Sequence, residues 1–211
     1  MFTGIIEHLG TVSRLEVNAR GGKLTVRAPS LAANIAVSAS VAVNGCCLTV
    51  VHRDDENFSA DLSGETLGKT SFASLKVDAR VNLEQPLTAG KEFGGHFVLG
   101  HVDGTGRVAI GSEMRDAVEV PQELRRYIVS KGSITADGIS LTIARWQNHV
   151  AEIAVIPYTY EHTNIRDRVA GDAVNLEVDI LGKYIERYLA QRDSAAGEPA
   201  LRVEDLIRQG F

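Results

Sequence analysis

Short apolar stretches interleaved with polar residues dominate the first 180 positions. Leu24-Thr25-Val26, Val41-Ala42-Val43, Cys47-Leu48-Thr49-Val50-Val51 and Val81-Asn82-Leu83-Glu84 are rich in β-branched residues and bounded by Gly, Asn or Asp. That pattern predicts short strands. Strands recurring at intervals of about 8–12 residues predict small closed barrels rather than α/β units. Pro121 to Ile128 reads as a short helix, with Pro at its start, Leu124, Tyr127 and Ile128 on one face, and Gly132 past its end. A counterpart begins near Pro29-Ser30-Leu31. Past residue 179 the period changes. Ile180, Tyr184 and Tyr188, with Leu181, Ile185 and Leu189, recur every four residues and predict a helix with a wide apolar stripe. Neither barrel requires this helix, so pairing with another subunit and packing onto its own chain both account for the stripe. Ser194 to Pro199 reads as a linker, and a last short helix is expected from Leu201 to Arg208.

The chain repeats itself. Asn44-Gly45-Cys46-Cys47-Leu48-Thr49-Val50 recurs as Asp137-Gly138-Ile139-Ser140-Leu141-Thr142-Ile143, 93 positions later. The same offset carries Ser40 to Ser133, Thr66 to Thr159, Thr70 to Thr163 and Val81-Asn82-Leu83-Glu84 onto Val174-Asn175-Leu176-Glu177. Gly4 and Gly10 match Gly100 and Gly106 at an offset of 96, so the halves differ by three residues between these blocks. A gapless run of this length identifies duplicated domains, about 1–88 and 96–186.

Composition narrows the function classes. The 211 residues include 44% hydrophobic and 23% charged residues, which excludes wholesale disorder. With 22 Lys and Arg against 27 Asp and Glu, the net charge is −5, and nucleic acid is not an expected partner. No apolar run approaches the roughly 18–20 residues that span a bilayer, so no membrane association is expected. The stretch Met1 to Glu7 lacks the basic region of a secretory signal. Cys46 and Cys47 are adjacent, diverge in a strand and do not readily close a disulfide. Reduced thiols without an export signal predict the cytoplasm.

Three constellations carry candidate chemistry. His96 and His101 lie in the glycine-rich segment Gly94 to Gly104, and His101 stands where the first half has Ile5. A histidine titrating near neutrality suits proton transfer, whereas a shared zinc is disfavoured because five residues separate the two rings along an extended segment. Cys47 and Ser140 are equivalent, each followed two residues on by Thr49 or Thr142 on the same strand face. Such a face resembles a hydrogen-bonding edge for a planar polar ligand. No base adjoins either residue in sequence, so no covalent triad is predicted. The third constellation pairs Asp61-Leu62-Ser63-Gly64-Glu65-Thr66 with Ile156-Pro157-Tyr158-Thr159-Tyr160-Glu161, read as polar loops after strands. No phosphate-cradling or dinucleotide-binding glycine fingerprint is present.

Taken in order, Met1 to Glu7, Asn44 to Val50, Gly94 to Gly104, Lys131-Gly132-Ser133-Ile134, Asp137 to Thr142 and Lys183 to Arg187 resemble the riboflavin synthase family, α-type homotrimeric enzymes. The resemblance implies an all-β fold of two tandem, homologous six-stranded Greek-key barrels followed by a C-terminal α-helix. The expected division is a lumazine-binding barrel over 1–95, a second over 96–186 and a helical tail over 187–211. The implied reaction is a dismutation of two molecules of 6,7-dimethyl-8-ribityllumazine, giving riboflavin and 5-amino-6-ribitylaminouracil by four-carbon transfer. It implies no metal and no redox cofactor. It also implies a homotrimer with each site between neighbouring subunits, and brings lumazine synthase into view as a partner.

By the same resemblance His101 and Thr142 are candidates for proton transfer, Cys47 and Ser40 for assisting addition in the first barrel, and Ser140 is a further catalytic candidate. Substrate binding is expected from Gly4, Ile5 and Ile6, from Cys47, Leu48 and Thr49, from Gly100, His101 and Val102, and from Ser140, Leu141 and Thr142. Asp61, Leu62, Ser63, Gly64, Glu65 and Thr66, with Ile156, Pro157, Tyr158, Thr159, Tyr160 and Glu161, complete the pockets. Lys131 is expected to reach a partner's ligand. The rival reading is a non-catalytic lumazine or flavin binder on the same scaffold; the presence of Lys131, Ser133, Ser140 and Thr142 favours the enzyme.

Overall fold

The computed structural model describes residues 1–110 and 116–195. Strands β1 (His8–Asn18), β2 (Gly21–Arg27), β3 (Ser40–Val43), β4 (Cys46–Arg53), β5 (Asn57–Ser63) and β6 (Arg80–Glu84) pair antiparallel in the order β1-β2-β5-β4-β3-β6 and close a barrel. Strands β7 (Gly104–Ile110), β8 (Asp116–Glu119), β9 (Ser133–Ala136), β10 (Ile139–Gln147), β11 (Val150–Ile153) and β12 (Ala173–Val178) close a second barrel with the equivalent order. In each, three hairpin-linked strands lie beside a fourth that arrives by a longer connection, the Greek-key arrangement. The duplication read from sequence is thus a duplication of topology.

Alternation along the strands explains why each barrel closes. In β4 the side chains of Cys46, Leu48 and Val50 enter the core, while Thr49 and Val51 point outward. The first core gathers Leu24, Phe58, Phe72 and Leu83, each fully or almost fully buried, and the second gathers Ile134, Ile143, Ile153 and Leu176. Each such side chain contributes about 1.5–3 kcal/mol relative to exposure. The second interior retains a cavity of only about 20 Å³, lined by Val118, Ala136, Ile139 and their neighbours. That space is about the size of one water molecule and leaves no room for a larger guest inside the barrel.

Four helices accompany the strands among the described residues: α1 (Pro29–Ala32), α2 (Gly64–Lys69), α3 (Pro157–His162) and α4 (Ile180–Ala195). Two expectations change. The segment after Pro121 forms a 3₁₀ turn over Gln122–Tyr127 rather than an α-helix, closed by Leu124 N–H to the Pro121 carbonyl and Ile128 N–H to the Arg125 carbonyl. Six residues that must turn back to β9 favour the tighter i→i+3 pattern. Of the linker expected from Ser194 to Pro199, Ser194 and Ala195 close α4 instead, and residues 196–199 lie outside the described residues. The expected helix from Leu201 to Arg208 lies outside the described residues. Helix α4 begins two residues after β12, so the 186/187 boundary falls inside it.

The barrels are related by a pseudo-two-fold axis. Both β3–β4 and β9–β10 turn through two residues with positive φ, Asn44 (42°) with Gly45 (77°), and Asp137 (47°) with Gly138 (79°). Positive φ at both central positions matches the right-handed twist of the flanking strands. Around this axis Asn82 Nδ2 donates to the Asp137 carbonyl at 3.0 Å and Asn175 Nδ2 to the Asn44 carbonyl at 2.9 Å. Ser71 N–H reaches Asn175 Oδ1 at 2.7 Å, and Asn164 N–H reaches Asn82 Oδ1 at 2.8 Å. Symmetry breaks at Asp137, which accepts from Arg168, whereas the equivalent positions hold Asn44 and Leu75.

Candidate functional site at two exchanged arms

Each barrel extends an arm ahead of its first strand, and the two arms cross over. Phe2 N–H donates to the Val98 carbonyl at 2.7 Å, and Val98 N–H returns to Phe2 at 3.2 Å, pairing the arms at the axis. Phe2, Val98 and Ala42 are buried together, with Cys47 packed against them. Beyond this pair, the arm of residues 1–7 reaches the second barrel, where the Gly4 carbonyl accepts Ser140 N–H at 2.7 Å. The arm of residues 96–102 reaches the first barrel, where the Gly100 carbonyl accepts Cys47 N–H at 2.8 Å. Ile6 packs on the second core and Val102 on the first.

Two buried carboxylates hold the arms. Glu84 accepts from Thr3 N–H at 2.7 Å, Thr3 Oγ1 at 2.7 Å and Gly4 N–H at 3.0 Å. Its equivalent Glu177 accepts from Leu99 N–H at 2.7 Å and Gly100 N–H at 3.0 Å. Burial raises the Glu84 carboxyl above its ordinary range, and the hydrogen bonds from Thr3 and Gly4 oppose that shift.

Against each arm stands one strand edge with a matching set of polar side chains. The β3–β4 register places Ser40 opposite Thr49 and Ala42 opposite Cys47. The β9–β10 register places Ser133 opposite Thr142 and Thr135 opposite Ser140. Cross-strand partners share a face, so Ser40, Thr49 and Cys47 lie together outside the first core, and Ser133, Thr142 and Ser140 outside the second. The registered β4–β5 ladder begins only at Val50/Ala60, and the β10–β11 ladder at Ile143/Ile153. Cys47 to Thr49, and Ser140 to Thr142, therefore run past the ends of those ladders, on strand edges that no neighbouring strand fully covers.

Each edge acquires one histidine, by a different route. His101 follows Gly100 in the arm that meets Cys47, and it is exposed. His96 lies at the other end of that arm: its backbone N–H donates to the Thr3 carbonyl at 3.1 Å, and its Nδ1 is 2.8 Å from Ser140 Oγ. His96 is buried, and desolvation lowers its pKa below the ordinary imidazole value. The absent partner that sequence spacing could not supply for Ser140 is therefore present in space. The only signal for it was the glycine-rich segment around His96; the 44 residues between the two were uninformative. His101 and Thr142, paired as proton-transfer candidates, stand at different edges of one chain. Cys46, facing the core, has its thiol pushed up to about 12 by burial and is a packing residue.

The two expected polar loops are not loops. Asp61, Leu62 and Ser63 end β5, and Gly64, Glu65 and Thr66 begin α2, capped by Ser63 Oγ accepting Thr66 N–H at 3.0 Å. Leu62 is buried in the first core, so its side chain is unavailable to a ligand. Ile156 precedes α3, which contains Pro157, Tyr158, Thr159, Tyr160 and Glu161. Ile156, Tyr158 and Tyr160 are exposed there, and Tyr158 stacks on His162 with ring centroids 4.0 Å apart. Pro157 pre-sets the first turn, and Ser63 supplies the cap that Ile156 lacks. Lys131 is exposed in a left-handed turn before β9, its N–H bonded to the Ile143 carbonyl at 2.8 Å.

Two small closed barrels in tandem, each carrying the same polar strand edge, define a duplicated Greek-key barrel protein. The lumazine binding domain model matches residues 3–86 and 99–179, one match per barrel. The chain is 43% identical over 197 residues to the riboflavin synthase of Mycobacterium tuberculosis, covering 90% of this chain and 98% of that one. It is 38% identical to the riboflavin synthase of Actinobacillus pleuropneumoniae, with both chains covered in full. The crystal structure of LumP complexed with riboflavin superposes with a TM-score of 0.76 at 25% identity, covering 84% of this chain and 99% of that one. The chain belongs to the riboflavin synthase family.

Proposed function

We propose that this protein is a riboflavin synthase. It converts two molecules of 6,7-dimethyl-8-ribityllumazine into riboflavin and 5-amino-6-ribitylaminouracil. Family membership carries the assignment, and the observation that fits it is the duplication of the binding edge. A reaction between two identical molecules calls for two similar receptors, and Cys47 with Gly100 and Ser140 with Gly4 form two such receptors in one chain.

Holding two rings in an oriented pair turns a collision into an effectively unimolecular step. One lumazine loses a proton from its 7-methyl group, made acidic by the electron-poor ring, and the resulting carbanion adds to the other. A four-carbon unit then passes to the acceptor, and the donor leaves as the diamine. At the first edge His101, Cys47, Ser40 and Thr49 surround one ring. At the second, Ser140, Thr142 and His96 surround the other, with Ile5 and Ile6 as apolar contacts. The active assembly is a homotrimer in which the first barrel of one subunit faces the second barrel of a neighbour, bringing His101 and Thr142 into one site. In support, the apolar positions Tyr184, Ile185 and Tyr188 of α4 are each at least 60% exposed. Residues 1–95 and 96–186 act as the two lumazine-binding units, with 187–211 as a tail and Lys131 reaching across to the neighbour's ligand. The enzyme acts in the cytoplasm, where association with lumazine synthase would pass it substrate. No helix among the described residues is long and apolar enough to cross a membrane.

The test mixes purified protein with 6,7-dimethyl-8-ribityllumazine, without metal or cofactor, and follows riboflavin absorbance. One riboflavin per two lumazines consumed is expected. Tight binding without product would assign the chain to the non-catalytic binders of the same scaffold.

A further inference from the structure

An open cleft that none of the edge residues lines runs between the two barrels. Its volume is about 540 Å³, and it takes Ser71, Ser74 and Lys76 from the first barrel and Arg107, Arg168 and Asp172 from the second. Its position at the junction of the halves and its size fall within the usual range for small-molecule sites.

Its chemistry is cationic in a chain of net charge −5. Lys76 and Arg107 are exposed and make no ion pair among the described residues. Arg107 Nη1 donates to the Gly171 carbonyl at 3.0 Å, which fixes the guanidinium at the rim. Arg168 is anchored on Asp137, through Nε at 3.0 Å and through Nη2. Asp172 is the carboxylate in the lining, and one of its oxygens already accepts Val169 N–H at 3.0 Å. Ser71 is 5% exposed, and its buried hydroxyl has no hydrogen-bond partner among the described residues.

The duplication supplies an independent argument. Features inherited from it occur twice, yet these cations occur once. Lys76 corresponds to Val169, Arg168 to Leu75 and Arg107 to Thr11. Three cations from both halves thus converge on one cleft without counterparts at the symmetric positions. The ribityllumazine rings proposed for the strand edges bind elsewhere and require none of them.

We propose that this cleft is a second ligand site, for a small molecule bearing a phosphate group. The exposed Lys76 ammonium and Arg107 guanidinium are donors suited to the oxygens of a phosphate. Inorganic phosphate and phosphate esters share this chemistry, and the volume leaves room for the organic part of an ester.

Titration calorimetry of the full chain with inorganic phosphate and with ribose 5-phosphate, at fixed ionic strength, tests the proposal. One equivalent should bind saturably, and Lys76→Ala and Arg107→Ala should each weaken it about tenfold or more. Both side chains are exposed, and unchanged melting temperatures and lumazine turnover would show that the variants fold normally. Tighter binding of the ester would identify esters as the ligand class. Equal binding would identify the phosphate group alone as sufficient. No saturable binding of either probe, or affinity unaltered in both variants, would overturn the proposal while leaving the proposed activity untouched.

Discussion

Gly45 and Gly138 meet across the pseudo-two-fold axis so closely that a Cβ on either would lie 2.7 or 2.6 Å from the other's backbone nitrogen. Both also hold positive φ, near 77° and 79°. Gly45→Ala should therefore cost about 2–4 kcal/mol, combining left-handed strain with a clash against backbone that cannot rotate away. Urea unfolding measures the loss, and Gly68→Ala, where nothing lies within 4 Å of the new Cβ, serves as the control that should remain near wild type.

Glu84 carries the arm that supplies Gly4 to Ser140. Glu84→Ala leaves Thr3 N–H, Thr3 Oγ1 and Gly4 N–H without their acceptor in a buried site. A stability loss of about 3 kcal/mol is expected. Faster amide exchange at Thr3 and Gly4, with β1 to β6 still protected, would place the damage in the arm. Uniform loss of protection would show that the carboxylate holds up the whole barrel instead.

His101→Ala should lower kcat about 100-fold while leaving lumazine affinity within a few-fold, because proton transfer rather than ground-state binding is lost. If KM alone rises, His101 orients the ring and takes no part in proton transfer.

His96 gives a signed pH dependence. Its folded pKa is depressed by burial, so above about 6.5 the ring is neutral in both folded and unfolded chains and contributes nothing. As pH falls below that value the unfolded chain takes up the proton first, and stability declines until the folded pKa is passed. Wild type should therefore lose more stability than His96→Gln between pH 7 and pH 5. Parallel stability profiles would show that burial leaves this imidazole as basic as a free one.

Deleting the chain from Leu181 removes Tyr184, Ile185 and Tyr188, all exposed on α4. The mass by light scattering should fall from that of the proposed trimer to a lower order. An unchanged mass would assign assembly to the barrels.

Much of this arrangement was legible in the residues. Alternation in Cys46 to Val51 reports which side chains enter the barrel, because successive residues of a strand face opposite sides. The recurrence of Asn44 to Val50 as Asp137 to Ile143 reports the second barrel, and the four-residue period from Ile180 reports α4. Local steric rules govern those features, so a linear pattern suffices to read them. Short helices were harder. Asp61 to Thr66 divides between β5 and α2, and Gln122 to Tyr127 winds as a 3₁₀ turn, because segments of six residues have too few positions to establish a period.

What the chain determined by itself was two copies of one barrel and the residue types along its edges. The tertiary structure alone decided how those copies share their parts. Crossing of the arms joins Gly4 to Ser140 and Gly100 to Cys47, and sets His96 Nδ1 2.8 Å from Ser140 Oγ. Those distances depend on two barrels meeting about Gly45 and Gly138, a docking of surfaces far apart in sequence. Periodicity records which way a side chain points from its own strand; it holds no record of what stands opposite.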